Sequence, residues 1–526
     1  VKNNCCWRGK TVTGTALLLS LLFLSGFFGC TPFSDDAQVQ VATAVNEFKP
    51  FSSPPRAVAC GPYSLNVSTD TAVIAWEEKI LGDTLRHVEV SVSGLSAGTE
   101  YVYRVNGAKK DGRLVTAPAD ATPFSFFIVS DTRGGAAIAS QISEQMIALD
   151  PEAAFVIHAG DMVMDQDSQE SWQADWWIPL SDLLLNFSVY PVMGNHEEGS
   201  AWYPRYFSSL GGSGINYSFN RGRIHVAVLD VNQESFITGE FLEWLTNDLQ
   251  EHRDADFIVV CHHLPAYAAN PDGDSGTGYI QDKLVPLYEQ YGVKLVLSGD
   301  VHCYQHNLKN NIHYLISAGG GSRLYDHGLP LEGMTLGLSK SYNFIRCRVQ
   351  DRLMQVTAHD IAGDVLDNFE LAADSSSEIT ARIIAQSDKS EVQRGEQFRT
   401  DFFIEGAADL DTVSFTLEYY KDTPPNALLT VVDAEPLTEG VQIEEGLLGG
   451  VVTANSADNT KGIITYGEDR IGGLSASKVK VASILFTVPE DEPITAFYLV
   501  PKFFLHDTSG REIPSFMGGV KVTIKK

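Results

Sequence analysis

Cysteine is scarce in this chain, and what there is sits badly for cross-linking. Of 7 cysteines in 526 residues, Cys5, Cys6 and Cys30 belong to the extreme N-terminal stretch, while Cys60, Cys261, Cys303 and Cys347 follow no zinc or disulfide spacing. That excludes a disulfide-stapled scaffold and predicts buried thiols, with Cys261–Cys303 the one conceivable bridge. Basic residues are also few: 38 Lys and Arg face 67 Asp and Glu, a net charge of −29, which excludes a nucleic-acid-coating role while leaving a small phosphorylated substrate open. No apolar run reaches the roughly twenty residues that a membrane-spanning helix needs. The triplet Gly319, Gly320, Gly321 lacks the Lys-Ser or Lys-Thr that would make it a phosphate loop. A tight turn with close backbone approach is expected there.

What is present is the composition of a folded protein, 44% hydrophobic and 20% charged, in a chain long enough for two to four domains. Lys2, Arg8 and Lys10 precede the short apolar run TALLLSLLFLSGFFG, which reads as a secretion signal. Its end, FFGC, resembles a bacterial lipobox closing on Cys30, although Phe27 stands where that pattern prefers an aliphatic residue. The resemblance implies an exported protein of the bacterial cell envelope, tied to the membrane by lipid at Cys30; the alternative is a plain signal peptide cleaved elsewhere.

The hydrophobic pattern changes period along the chain. Residues 1–30 are assigned to the signal and 31–56 to a polar, proline-broken tether. Residues 57–120 alternate with period two in TAVIAW, HVEVSVSGL and EYVYRV, predicting a small antiparallel sandwich. GLSAGTEYVYRV resembles a fibronectin type III strand pair, with Tyr101 or Tyr103 as the tyrosine-corner residue. In residues 121–373 the strands become continuous apolar runs separated by helical patterns such as GEFLEWLTNDLQEHR, predicting an α/β layered domain. Residues 374–526 return to period two, and their order of elements resembles the cohesin and carbohydrate-binding module superfamily.

Within the α/β region, apolar strands repeatedly end in a polar group: Asp131 after FFIVS, Asp161 after VIHAG, Asn195 after VYPVMG, His262 after FIVVC, and Asp300 with His302 around LVLSG. Carboxyl ends of strands converge on the ligand crevice of an α/β sheet, so residues far apart in sequence can meet there. Singly, each is the kind of Asp or Asn that commonly closes a turn. Jointly, carboxylate and amide oxygens mixed with imidazole nitrogens suit Mn, Fe or Zn.

The words SDTRGG, GDMV, GNHE, VVCHH and GDVHCY, in that order, resemble the calcineurin-like metallophosphoesterases, closest to the purple acid phosphatase-like branch. That resemblance implies a four-layer α/β sandwich flanked by the N-terminal fibronectin type III-like and C-terminal cohesin-like sandwiches. It also implies two divalent or trivalent metal ions. Asp161 would bridge them, Asp131 and His302 would complete the first site, and Asn195, His262 and Asp300 the second. His196 would face the phosphate of a small phosphoester, attacked in line by metal-bound hydroxide. Three positions depart from the pattern: Arg133 and Met164 stand where a first-metal His or Tyr is usual, and Asp300 replaces a histidine. Arg133 is expected to bind substrate phosphate through its planar fork. His158, His263 and His306 are read as satisfied neighbours, Asp230 as a non-ligand, and Trp172, Trp176 and Trp177 as packing.

Two functions follow from this pattern. One is an exported metal-dependent phosphoesterase. The other is a catalytically weakened surface protein binding a dockerin-like partner or a carbohydrate through its C-terminal sandwich.

Overall fold

The computed structural model describes residues 39–526 apart from 52, 56, 81–83, 212–213, 271–275, 374–380, 420–428, 435–442, 447, 460–461, 476, 491–495, 512, 514 and 526. The signal, Cys30 and the first part of the tether lie outside the described residues. Among those described, no helix is long and apolar enough to cross a membrane.

The first strand, Val39–Ala42, falls inside the segment assigned to the tether. Its Val39 and Val41 alternate onto the core while the strand pairs antiparallel with Glu100–Val105. A single short alternation, QVQVA, is too small a signal to separate a strand from the polar chain around it. Two three-stranded sheets then enclose Ile74, Trp76, Tyr103 and Leu114. The Tyr101 hydroxyl accepts the backbone N–H of Ser96 at 2.8 Å, bonding a few residues upstream as a tyrosine corner does, whereas the buried Tyr103 hydroxyl accepts none.

The middle region is a four-layer α/β sandwich. In its six-stranded sheet, Phe124–Val129, Phe155–His158 and Ser188–Pro191 run parallel. In its seven-stranded sheet, Ile224–Val228, Phe257–Cys261, Leu295–Ser298 and Ile312–Ser317 do the same. The pleat sorts the second sheet's side chains cleanly. Val226, Val228, Val259, Cys261, Leu295 and Leu297 face the first sheet, in one core with Phe126 and Val156. Ala227, Ile258, Val260 and Val296 face outward onto Phe241 and Leu245 of helix Gly239–Glu251 and Tyr288 of helix Val285–Tyr291. Burial on both faces is what writes these strands as unbroken apolar runs. Cys60, Cys261, Cys303 and Cys347 are buried free thiols, as expected.

The C-terminal region is a second β-sandwich around Phe398, Phe402, Phe415, Ile464, Tyr466 and Phe486. It rests on the middle domain: Met517 N donates to Thr335 O at 2.6 Å, and Met517 packs with Ala269 and Leu338.

Candidate metal centre

The parallel strands of both sheets end at one crevice, and the residues just beyond them leave extended geometry abruptly. Asp131, Asp161, Asp300 and His302 all have left-handed backbone, with φ of 58°, 59°, 71° and 41°. Side chains other than glycine adopt this region at a cost, and such outliers gather where a site demands a direction. Glycines let the loops close: a Cβ on Gly194 would stand 2.4 Å from Asp161 Oδ1, and one on Gly299 2.7 Å from Asp131 Oδ2. Gly320, in the triplet expected to form a tight turn, bonds Ser130 O at 3.0 Å.

Asp131 is fully buried. Its Oδ2 accepts the Ser130 hydroxyl and, at 3.1 Å, the Asp300 N–H. Its Oδ1 accepts no hydrogen bond and lies 3.2 Å from His302 Nε2. His302 Nδ1 donates to Arg323 O at 2.7 Å, which leaves the Nε2 lone pair pointing inward. Ligand atoms of Asp131, Asp161 and His302 all lie within 4.8 Å of one another.

Asp161 turns its two oxygens to opposite halves of the crevice. Oδ1 lies 3.2 Å from His263 Nε2 and accepts the His196 N–H at 3.2 Å, while Oδ2 accepts Arg133 Nε at 2.7 Å. Burial alone would raise its pKa, but His263 and Arg133 hold it well below the usual carboxylate range.

The second half corrects one expected ligand. His262 does not enter the crevice. Cys261 is an inward residue, so its successor points outward: His262 Nδ1 bonds Leu264 O at 2.7 Å and its ring lies 6.2 Å from that of Tyr288, in the helical layer. His263, read from the sequence as a satisfied neighbour, points in. Its Nδ1 donates to Ala159 O at 2.7 Å, and its Nε2 stands 3.1 Å from Asn195 Oδ1, 3.2 Å from Asp161 Oδ1 and 3.9 Å from Asp300 Oδ1. The pleat carried the missed signal: Cys261 faces the first sheet, so His262 points outward and His263, two residues beyond Cys261, points in.

The other expected residues are placed as follows. Asn195 lies at the crevice mouth beside His263. Asp300 is gathered at its edge, its pKa raised by burial and by the charges of Asp131 and Asp161. His196 is half-buried on the rim, its Nδ1 3.4 Å from Met164 O. The Arg133 fork is committed to Asp161 and stands 3.4 Å from His302 Nε2.

Two supporting carboxylates were not foreseen. Glu197, wholly buried, accepts backbone N–H groups of Asp161, Met162, Val163 and Gly194 at 2.8–3.1 Å, clamping two ligand loops together. Asp175 accepts Gly134 N at 3.1 Å and Met164 N at 2.9 Å from the turn that also buries Trp172 and Trp176, the packing role expected of those rings.

Residues 124–304 match the family model for calcineurin-like phosphoesterases. This part of the chain is a calcineurin-like phosphoesterase domain. Purple acid phosphatase 18 of Arabidopsis thaliana is 24% identical over 258 residues, covering 44% of this chain and 57% of that protein. The chain spans about half the length of the curated relatives it matches. Among solved structures, a purple acid phosphatase from yellow lupin seeds covers 61% of this chain and 75% of its own, at 14% identity and a TM-score of 0.50, a likeness of fold. A cohesin from Archaeoglobus fulgidus aligns with 28% of this chain and 92% of its own at 18% identity and a TM-score of 0.21.

A phosphoesterase domain of this family implies a dinuclear metal centre, and the donors can be tested against it. Carbonyl-locked imidazoles presenting Nε2 to carboxylate oxygens are the arrangement that metal ligation favours, because lone pair faces lone pair unless a cation or proton lies between. Asp161, Asn195, His263 and Asp300 fit an ion on this ground. Asp131, Asp161 and His302 bring ligand-type atoms together around the unpartnered Asp131 Oδ1, but Arg133 already donates to Asp161 Oδ2 and stands 3.4 Å from His302 Nε2. A separate group, His225, Asp248 and His252, closes on itself: His225 bonds Asn220 and Asp248, and His252 bonds Asn220 and the Asp248 carbonyl.

Proposed function

We propose that this protein hydrolyses phosphate esters outside the cytoplasm, held at the cell envelope by lipid at Cys30. The observation that carries the catalytic reading is the convergence of Asp131, Asp161, Asn195, His263, Asp300 and His302 on one crevice from the carboxyl ends of two sheets. Export and anchoring rest on the basic residues, the apolar run and the FFGC word at the N-terminus.

Metal ions of the Mn, Fe or Zn type bound by these donors would acidify water for in-line attack on phosphorus and screen the charge of the phosphoryl oxygens. The chain's own groups do the rest. Asp161, with its backbone held by Glu197, fixes the relation between the two halves of the site. Asp131 keeps its inward Oδ1 free of competing hydrogen bonds by spending Oδ2 on Ser130 and Asp300 N, and His302 fixes its ring by spending Nδ1 on Arg323 O. To His196, at the mouth and tied through its N–H to Asp161, we assign the role of facing the phosphate and returning a proton to the leaving oxygen.

The C-terminal sandwich is assigned a packing role on the phosphoesterase domain. The Met517–Thr335 bond and the Ala269–Leu338–Met517 contact support this over a dockerin-like or carbohydrate partner. The test of the catalytic reading is hydrolysis of a chromogenic phosphate monoester and diester by wild type, Asp161→Asn and Asp300→His. Wild type should turn over at least one ester and Asp161→Asn neither; inactive wild type with Mn, Zn or Fe supplied refutes the proposal.

A further inference from the structure

Resting on that reading, we infer that the guanidinium of Arg133 takes the place of the first metal ion, so that this centre works with a single ion held by Asp161, Asn195, His263 and Asp300. The first half of the crevice has three inward donor atoms: Asp131 Oδ1, Asp161 Oδ2 and His302 Nε2. Arg133 reaches two of them, donating from Nε to Asp161 Oδ2 at 2.7 Å and standing with Nη2 3.4 Å from His302 Nε2. The third, Asp131 Oδ1, is 3.2 Å from the same imidazole nitrogen. Because His302 spends its Nδ1 proton on Arg323 O, its Nε2 is an acceptor, and the arginine N–H is the donor it meets.

The arginine is built into this position. Its side chain is 13% exposed, its backbone N–H bonds Asp161 O at 3.3 Å, its carbonyl accepts the Ser322 hydroxyl at 2.9 Å, and Nη1 lies against Met164 Sδ at 3.4 Å. By the family resemblance, Met164 and Arg133 stand where a further first-ion ligand is usual; here Met164 offers no hard donor and Arg133 supplies a fixed cation. A guanidinium stays protonated at any working pH and is hydrated weakly enough to sit in such a pocket. A divalent ion beside it would meet like charge at contact distance while losing Asp161 Oδ2 as a ligand.

The second half has no such substitute. His263 Nε2 faces oxygens of Asp161, Asn195 and Asp300, and the aspartate in place of a histidine adds negative charge there. That half calls for a metal, and Arg133 supplies the opposing positive charge across Asp161. A phosphoester would then be gripped between one ion and those guanidinium N–H groups left over from Asp161 and His302, planar donors of the kind that suit phosphate oxygens.

The test is metal content by elemental analysis, with Mn(II) electron paramagnetic resonance, on the full-length chain after loading and removal of excess ion. Wild type should hold a single ion with the six-line signal of isolated Mn(II). Arg133→His should hold a pair with an exchange-coupled signal, and Asp161→Asn should lose the ion. A coupled pair in wild type overturns the inference and leaves the phosphoesterase reading standing. Wild type that binds no ion at all overturns both. Arg133→His and Arg133→Ala that both remain at a single ion, folded by circular dichroism, refute the part given to the arginine.

Discussion

His263 Nε2 lies 3.2 Å from Asp161 Oδ1, while the adjacent His262 turns its ring away toward Tyr288. One residue of pleat thus separates a side chain in the crevice from one in the helical layer. His263→Ala should cut ion affinity and turnover by at least about a hundredfold, since even residues that only orient ligands cost 10–100-fold. His262→Ala should keep its metal and lose stability through the cavity it leaves. Equal metal loss in the two variants, followed by elemental analysis, would contradict the assignment.

Glu197 joins the Asp161 loop to the Gly194 loop through four backbone N–H groups. Glu197→Gln puts an amide NH2 among donors that then lack an acceptor. The expected loss is about 2–3 kcal/mol in urea unfolding, with weakened ion binding alongside. A variant as stable as wild type would show that the clamp is not needed.

Asp161 makes stability depend on pH in the metal-free protein. Its folded pKa is depressed, so its contribution is complete above the unfolded carboxylate value of about 3.9 and is lost as pH falls below it. The gap in melting temperature between wild type and Asp161→Asn should therefore narrow progressively as pH falls below about 4. A gap that widens on acidification would reverse the sign of the argument.

Glu77 is wholly buried in the N-terminal sandwich and accepts Arg205 Nε of the phosphoesterase domain at 2.8 Å. Arg205→Ala leaves that carboxylate without its cation, and a loss of about 2–3 kcal/mol is expected in chemical unfolding. No measurable change would mean that the two domains are not held together by this pair.

The sheet strands and most of the site were readable because burial on both faces leaves unbroken apolar runs, and each run stops at its chemical residue. Asp131, Asp161, Asn195, Asp300 and His302, which the fold brings to one crevice, each follow such a run. The choice between His262 and His263 was not readable, because strand-end position alone does not give the face; alternation from the inward Cys261 does. Glu197 and Asp175 escaped because they act on backbone N–H groups brought near by folding, which no spacing displays. Arg133 was noticed as a departure, but its engagement with Asp161 and His302 depends on the left-handed turn after Val129.

Deleting residues 374–526 should uncover Ala269 and Leu338 and lower solubility, while turnover per folded molecule persists. Size-exclusion chromatography coupled to the ester assay reads both. A truncated protein that stays monomeric and equally stable would free the sandwich for a partner in trans.

We assign to the converging donors a metal-dependent phosphoesterase activity. The decisive measurement is to strip the wild-type protein with a chelator and add back Mn, Zn or Fe during a phosphomonoester assay. Activity should vanish on stripping and return with at least one ion; hydrolysis that survives stripping, or never appears with any ion, would contradict it.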